Sequence, residues 1–163
     1  MKRFSVNTPE EPVPNAGQGS TTPFSPARHT TILTVEDDET VCWIMGKVLE
    51  THGYRTLAAM NADDAWKLWR QNIHTIKLVI TDINMPGGPN GVALGHAIQD
   101  EDGSVPVIYT SGHRAVHEFA ELRAGANYLA KPFRMDELLD IIARALAGQE
   151  SRGIGAVPST LVT

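Results

Sequence analysis

Short apolar segments alternate with amphipathic ones along most of the chain. The apolar runs are rich in β-branched residues and predict strands, whereas the segments between them repeat apolar residues at the spacing of a helix with one buried face. The run 31–35 predicts the first strand, and the apolar positions from Val41 to Leu49 predict the helix that follows it. Acids before this helix suit its dipole, and Gly53 predicts its end.

The alternation continues as far as Gly148. Further strands are predicted at 54–58, at the run that ends in Asp82, at 105–110 and at 127–130. Helices are predicted after a capping Asn61, around 94–98, around 116–120, and over a last segment that ends at Gly148. These elements predict the α/β class: a doubly wound, five-stranded parallel sheet in the order 2-1-3-4-5, of the flavodoxin-like (βα)5 type, with both faces covered.

The two ends of the chain fall outside this pattern. Residues 1–29 hold five prolines among Ser, Thr, Asn and Gly, and their few apolar groups do not offset the entropy lost on ordering. We therefore predict a disordered N-terminal tail over 1–29, one domain over 30–148, and a flexible C-terminal tail over 149–163. A docking peptide around Phe24 is the alternative for the first tail.

Composition narrows the class of protein. A hydrophobic content of 42% and a charged content of 20% are typical of a soluble globular protein. The net charge of −5 argues against a nucleic-acid-binding surface, and no apolar run has the length of a membrane span. Lys2 and Arg3 lack the apolar stretch of a secretory signal behind them. A single cysteine, Cys42, fits a reducing compartment, so we expect a cytoplasmic protein.

Polar side chains follow four of the predicted strands. Because the carboxyl ends of neighbouring parallel strands meet at one edge of a sheet, we expect these side chains to converge. They are Glu36 and Asp37 after strand one, Asp82 after strand three, Thr110 and Ser111 after strand four, and Lys131 and Pro132 after strand five.

This set of side chains indicates phosphoryl chemistry. Asp82 is expected to be exposed where its strand stops, since Pro86 prevents a prompt return to regular pairing. Crowded carboxylates repel one another unless a cation is present, and Mg²⁺ prefers oxygen ligands. A lysine ammonium and a hydroxyl add donors for a dianionic group. The combination suits transfer of a phosphoryl group to the Asp82 carboxylate.

Four motifs at these strand ends carry a resemblance to a known family. Together they resemble the receiver domain of two-component response regulators, in a single-domain form that covers roughly residues 30–148. Each motif alone is weak, but their order and their positions at strand ends make the resemblance specific. The motifs are Val35-Glu36-Asp37-Asp38, Asp82-Ile83-Asn84-Met85-Pro86, Thr110-Ser111-Gly112 and Lys131-Pro132-Phe133.

The resemblance implies a phosphoacceptor and a magnesium site. Asp82 matches the residue that accepts the phosphoryl group. Asp37 matches the acid that binds Mg²⁺ directly, and Glu36 matches the acid that acts through a metal-bound water. Asp82 and the main-chain carbonyl of Asn84 complete the metal ligands. The Asn84 side chain is expected to tune how fast water removes the phosphoryl group.

The resemblance also implies a switch. Thr110 matches the hydroxyl that moves to the phosphoryl group, and Lys131, with a cis bond to Pro132, matches the ammonium that pairs with it. Tyr128 matches the aromatic residue that swings inward in response. The output face is expected to lie on the helix before strand five, strand five itself and the last helix. Its candidate residues are Phe119, Leu122, Tyr128 and Leu139.

The partners that the resemblance implies are proteins. A sensor histidine kinase or a histidine phosphotransfer protein would donate the phosphoryl group, and an unknown downstream protein would respond. No enzyme activity is expected beyond self-phosphorylation and self-dephosphorylation. Whether the phosphorylated form makes a homodimer, and whether the protein is a terminal effector or a relay intermediate, stay open.

Two other functions remain as alternatives. The first is a scaffold whose partner is held regardless of phosphorylation, which is motivated by the long N-terminal tail and by an unusual loop after Asp82. That loop is one residue longer than the commonest family pattern, with Gly88-Pro89 where a bulky apolar residue is usual. The second is a phosphohydrolase with an aspartyl nucleophile, although such enzymes place a second acid where this chain has Asn84.

Several residues also have purely structural interpretations. Tyr128 in a short strand can serve packing alone, and His113 and His117 are interpreted as part of a solvated helix face. Cys42 is expected to be a buried small hydrophobe. The three tryptophans are interpreted as packing residues, and they are Trp43, Trp66 and Trp69.

Overall fold

The structure, a computed structural model, describes residues 30–112, 119 and 122–153. Within these ranges one parallel sheet has the strand order β2-β1-β3-β4-β5, so the predicted order 2-1-3-4-5 is confirmed. The strands are β1 (Thr31–Val35), β2 (Arg55–Ala59), β3 (Ile76–Asp82), β4 (Val107–Ser111) and β5 (Tyr128–Ala130).

Helices separate most of these strands. The described ranges contain α1 (Glu39–Thr51), α2 (Ala62–Asn72), α3 (Gly91–Glu101) and α4 (Met135–Gly153). The helix predicted around 116–120, with His113 and His117, lies largely outside the described residues, as do the predicted tail 1–29 and residues 154–163.

Polar side chains at the helix starts explain where three helices begin. Asp38 Oδ1 accepts hydrogen bonds from the main-chain N–H groups of Thr40 (2.8 Å) and Val41 (3.1 Å), which caps α1. Asn61 caps α2 as predicted, and Asn90 caps α3 in the same way. Each cap satisfies donors that have no partner within the helix.

Glycine ends one helix and is tolerated inside another. Gly53 has a φ of 88° just beyond α1, which is the conformation expected of the predicted helix stop. The prediction that the last helix ends at Gly148 is wrong, because α4 continues to Gly153. A glycine within a helix costs only about 1 kcal/mol, and the Gln149 side chain donates a 2.8 Å hydrogen bond to the Ser104 carbonyl that holds the extra turn.

Apolar residues cover both faces of the sheet, as predicted. Neighbouring β1 residues Ile32 and Leu33 point to opposite faces and belong to two separate clusters. The first core layer includes Leu33, Val35, Trp69, Val79, Ile98 and Tyr109. The second core layer includes Ile32, Met45, Leu49, Ile80, Ile108 and Ile141.

Strand β3 begins two residues before the apolar run that predicts it. Its pairing with β1 shifts register between Thr31 and Ile32, which are opposite Ile76 and Leu78, so Lys77 is an extra, bulged residue. A bulge moves the preceding side chain to the other face. Ile76 therefore joins Val79 in the first core layer, and Lys77 stays exposed.

Candidate functional site

The predicted polar residues lie at the carboxyl ends of four strands. Asp82 is the last residue of β3 and is paired with Thr110 on β4. Glu36 directly follows β1, and its main-chain N–H donates to the Ala59 carbonyl of β2. Lys131 directly follows β5, and the bond between Lys131 and Pro132 is cis, as the resemblance implies.

The Lys131 ammonium joins two acids from distant parts of the chain. Its Nζ lies 2.6 Å from Glu36 Oε2 and 2.6 Å from Asp82 Oδ2. The side chain of Glu36 is 3% exposed and that of Asp82 is 9% exposed, whereas Lys131 keeps 26%. The ammonium thus compensates two nearly buried negative charges at the rim of the sheet.

Asp82 is less exposed than the sequence indicates. The residue as a whole is 7% exposed, so the expectation of an exposed acid is wrong. Two contacts cover the carboxylate: Lys131 at Oδ2, and the main-chain N–H of Asn84, which donates to Oδ1 at 3.1 Å. The side chain keeps 9% of its exposure to solvent.

Burial and charge shift the pKa values of two of these groups. Burial raises the pKa of Glu36, and the opposing effect of Lys131 does not cancel it. For Lys131, burial alone would lower the pKa, but hydrogen bonds to Asp82 and Glu36 outweigh burial and raise it. The lysine is therefore a permanent cation at neutral pH.

Three acids form a group that fits a divalent cation. Oxygen atoms from Glu36, Asp37 and Asp82 all lie within 4.8 Å of one another. Opposite ligands of a Mg²⁺ ion, each at about 2.1 Å, are about 4.2 Å apart, so a small adjustment suffices. Asp37 is exposed, unlike the other two acids, and gives the site an open side. The donors are hard oxygens, as Mg²⁺ requires.

Asn84 and Ser111 form a polar contact beside this acid group. The exposed Asn84 side chain donates from Nδ2 to Oγ of the fully buried Ser111 at 2.7 Å. The Ser111 carbonyl accepts a 2.7 Å hydrogen bond from the main-chain N–H of Lys131. Ser111 thus connects the loop after β3 to the loop after β5. Sequence reasoning quoted Ser111 in a motif but assigned it no contact.

Thr110 and Tyr128 are both buried in this structure. Thr110 is 1% exposed, and its carbonyl accepts a 2.8 Å hydrogen bond from the Ile83 main chain. Tyr128 is 3% exposed, packs in the first core layer and donates from its hydroxyl to the Gly112 carbonyl at 3.4 Å. Burial, and secondarily the charge of Asp82, raise the pKa of Tyr128. Tyr128 thus packs in the core, which agrees with its structural interpretation.

A glycine that sequence reasoning did not single out lies against the main chain of Asp82. A Cβ on Gly91 would meet the Asp82 carbonyl and would lie 2.7 Å from Thr81 Oγ1. The Gly91 main-chain N–H donates to the Ile83 carbonyl at 3.0 Å. Only glycine allows α3 to begin so close to the end of β3, and nothing in its sequence context distinguishes it from loop glycines.

The predicted output face is only partly a surface. Leu122 is 5% exposed and packs in the first core layer, so its prediction as a surface residue is wrong. Phe119 is half-buried against that layer, and Leu139 is half-buried against the second. Phe119 and Leu122 therefore contribute to the packing of the first core layer.

The packing roles predicted for Cys42 and for two of the three tryptophans are confirmed, whereas the role predicted for Trp43 is wrong. Cys42 is buried, and Trp69 is fully buried with its indole N–H donated to Glu101 at 2.9 Å. Trp66 is half-buried, with the Arg70 guanidinium 5.9 Å from its ring centroid. Trp43, however, is 63% exposed on α1 and does not pack in the core.

Comparison with known proteins assigns the class. The family model of the response regulator receiver domain matches residues 32–143. Since this match spans most of the chain, the protein belongs to the receiver domain family. Its members are phosphoacceptor switches that typically bind Mg²⁺ at an acidic pocket and interact with histidine kinases or phosphotransfer proteins.

Curated relatives include response regulators of bacteria and plants. The chain is 34% identical over 120 residues to the response regulator protein FleR of Pseudomonas aeruginosa, across 72% of this chain and 25% of that protein. It is 33% identical over 118 residues to the nitrogen assimilation regulatory protein NtrX of Azorhizobium caulinodans, across 71% of this chain and 26% of that protein. The chain therefore spans about a quarter of the length of these relatives.

Solved structures of receiver domains share the fold. A CheY-like receiver domain protein from Methanospirillum hungatei is 27% identical with a TM-score of 0.67, and the match covers 76% of this chain and 98% of that one. The receiver domain of the hybrid histidine kinase CckA is 29% identical with a TM-score of 0.60, and the match covers 71% of this chain and 98% of that one.

Across residues 30–112, 119 and 122–153, no helix is both long and apolar enough to cross a bilayer.

Proposed function

We propose that this chain is a phosphorylation-driven switch in which Asp82 accepts a phosphoryl group from a histidine kinase or a histidine phosphotransfer protein. The observation that carries the proposal is the position of Lys131, whose Nζ lies 2.6 Å from an oxygen of Asp82 in a pocket that also holds Glu36. A nearly buried carboxylate with an adjacent fixed cation is suited to become an acyl phosphate.

Each residue of the pocket would have a different role in the phosphoryl transfer. An Asp82 oxygen forms a bond to phosphorus while the bond from phosphorus to the donor histidine nitrogen breaks, and that nitrogen keeps the electron pair. Lys131 stays close enough to pair with a phosphoryl oxygen. Glu36, Asp37, Asp82 and the main-chain carbonyl of Asn84 would hold Mg²⁺. The bound ion supplies further neutralisation of the phosphoryl oxygens.

Thr110 connects this event to the rest of the domain. Its main chain is paired with Asp82, so the Thr110 hydroxyl is placed to reach an added phosphoryl group from the neighbouring strand. A shift of this strand end would bias the packing of the buried Tyr128 and, through it, the half-buried Phe119 and Leu139 of the proposed output face. Binding of a downstream protein or a second copy there would then depend on phosphorylation.

Labelling with a small phosphoryl donor tests the proposal. The wild type, Asp82→Asn and a control Asp100→Asn, which changes an exposed acid on α3, are incubated with radiolabelled acetyl phosphate and Mg²⁺. We expect acid-stable but alkali-labile label on the wild type and the control, and none on Asp82→Asn. Equal labelling of Asp82→Asn and wild type would remove Asp82 from the role of phosphoacceptor.

One observation favours the scaffold as a second candidate. Tyr128 is only 3% exposed, and its packing in the first core layer is enough to explain this arrangement. A partner that recognises this arrangement would bind in either state. Partner affinity measured with and without beryllofluoride and Mg²⁺ separates the two functions: a change supports the switch, and equal affinities support the scaffold.

A further inference from the structure

The contact between Asn84 and Ser111 has no role in receiving the phosphoryl group. Ser111 is fully buried at the end of β4, yet it directs its hydroxyl oxygen to Nδ2 of the exposed Asn84 at 2.7 Å. The same serine accepts the Lys131 main-chain N–H at 2.7 Å through its carbonyl. Ser111 therefore fixes the Asn84 side chain in the loop after β3 and the Lys131 backbone in the loop after β5.

Asn84 lies at the edge of the pocket that is formed by Glu36, Asp82 and Lys131. Its main-chain N–H donates to Asp82 Oδ1 at 3.1 Å, so the residue is adjacent to the carboxylate that carries the phosphoryl group. Its side chain is held through one N–H, which leaves the second N–H and the carbonyl oxygen of the carboxamide to bind water. A carboxamide held in one orientation can orient an attacking water, as in nucleotide hydrolases that use glutamine for this purpose.

We propose that Ser111 is a positioning residue that orients the Asn84 carboxamide for hydrolysis of the phosphoryl group on Asp82, and thereby sets the lifetime of the phosphorylated state. This inference rests on the proposed phosphorylation of Asp82. Its basis is preorganisation: a side chain that is already fixed loses less entropy when it aligns a reactant. Other polar contacts of the pocket, above all those of Lys131, serve phosphoryl binding instead.

The hydrolytic step balances without a further reactant. The oxygen of water forms a bond to phosphorus, and the bond from phosphorus to the Asp82 oxygen breaks, so Asp82 leaves as a carboxylate. The products are the carboxylate, hydrogen phosphate and one proton released to solvent. Asn84 gains and loses no proton, and the Ser111 side chain acts through its hydrogen bond with the Asn84 carboxamide.

The experiment measures two rates on each variant. Wild type, Ser111→Ala, Asn84→Ala, the double variant and a control Ser104→Ala are phosphorylated with radiolabelled acetyl phosphate and Mg²⁺. The donor is removed on a desalting column, and the decay of label is followed. Ser104 is a matched control because its hydroxyl also makes a side-chain hydrogen bond, to Asp102, at an exposed position outside the pocket.

We expect Ser111→Ala to lengthen the phosphoryl lifetime about three- to tenfold, the factor that one hydrogen bond typically contributes. Asn84→Ala should lengthen the lifetime at least as much. The double variant should match Asn84→Ala, because Ser111 acts only through Asn84. The initial labelling rate should be unchanged in Ser111→Ala, and Ser111→Thr, which keeps the hydroxyl, should restore the lifetime towards that of wild type.

Two results would overturn the inference. One is a wild-type lifetime in Ser111→Ala. The other is an equal effect of Ser111→Ala in the presence and absence of Asn84, which would show that the serine acts independently. Either result leaves the proposed function intact as long as Asp82 is labelled. Absence of label on wild type itself would instead contradict the proposed function.

Discussion

The apolar half of β3 and its acid end are stabilised in different ways. Ile76, Leu78, Val79 and Ile80 are fully buried and alternate between the two core layers, apart from the bulge at Lys77. Asp82, only two residues beyond Ile80 on the same strand, is nearly buried too, but its partner is a charged lysine. The apolar half stabilises the fold by burial, whereas the acid end retains a nearly buried charge that needs the Lys131 ammonium as its partner.

The largest effect is expected from a cavity in the apolar half. Ile80→Ala should reduce the free energy of unfolding by about 2–5 kcal/mol, because a fully buried side chain is lost from the second core layer. Urea denaturation measures this change. The folded fraction should still be labelled on Asp82 at the wild-type rate. A loss below about 1 kcal/mol would show that this half of β3 tolerates rearrangement.

A second large effect is expected where a helix approaches the sheet. Gly95→Ala on α3 should cost about 1–3 kcal/mol, because its Cβ would press into the Tyr109 ring, with Cε1 and Cζ of that ring at 2.8 Å. Gly46→Ala on α1 is the matched control, since its Cβ would meet only Thr56 Oγ1 at 3.8 Å. The control should be neutral or stabilising. Similar losses for both variants would argue against close packing at Gly95.

At the acid end, Lys131 is expected to compete with Mg²⁺. Lys131→Met should tighten Mg²⁺ binding about tenfold, because the ammonium no longer occupies oxygens of Glu36 and Asp82. Titration calorimetry on wild type, Lys131→Met and the exposed control Lys47→Met measures the affinities. Weaker binding in Lys131→Met than in Lys47→Met would mean that the lysine organises the acids for the metal.

The smallest effect is expected at Asp102, a half-buried acid at the C-terminal end of α3. The Ser104 hydroxyl, and then its main-chain N–H, lower the pKa of Asp102 below its ordinary value of 3.8. A lowered carboxyl pKa contributes stability above the ordinary value, and that contribution is lost as the pH falls through the folded-state pKa. Ser104→Ala should therefore be less stable than wild type near neutral pH by a few tenths of a kcal/mol.

The pH dependence of this difference is its test. Urea denaturation of wild type and Ser104→Ala at several pH values should show the two free energies converging in acid. A constant difference down to the most acidic pH would assign the effect of Ser104 to something other than the Asp102 charge.

Local signals in the sequence were sufficient to predict the fold and to identify the acids of the candidate site. Parallel strands buried on both faces are short apolar runs, so Asp82 stands out as the residue that ends one of them. Asn61 and Gly53 act on their own backbone neighbours, which is why helix ends near them are predictable. The strand order was predicted from the size of the sheet, and the convergence of the polar side chains was inferred from that order.

Features that depend on distant residues could not be predicted. The exposure of Trp43 and the burial of Leu122 depend on which neighbours the fold brings to them, and periodicity does not report this. The extension of α4 past Gly148 depends on a contact with Ser104. The bond from Asn84 to Ser111 joins residues on two loops, and no spacing along the chain indicates it.

Chemical mapping of the phosphorylated residue tests the central claim most directly. Wild-type protein is phosphorylated with acetyl phosphate and Mg²⁺, the acyl phosphate is reduced with borohydride to homoserine, and the modified peptide is sequenced by mass spectrometry. The account predicts homoserine at position 82 alone. Reduction at Asp37 or Glu36 instead, or phosphorylation that borohydride does not reduce, would contradict the assignment of Asp82 as the phosphoacceptor.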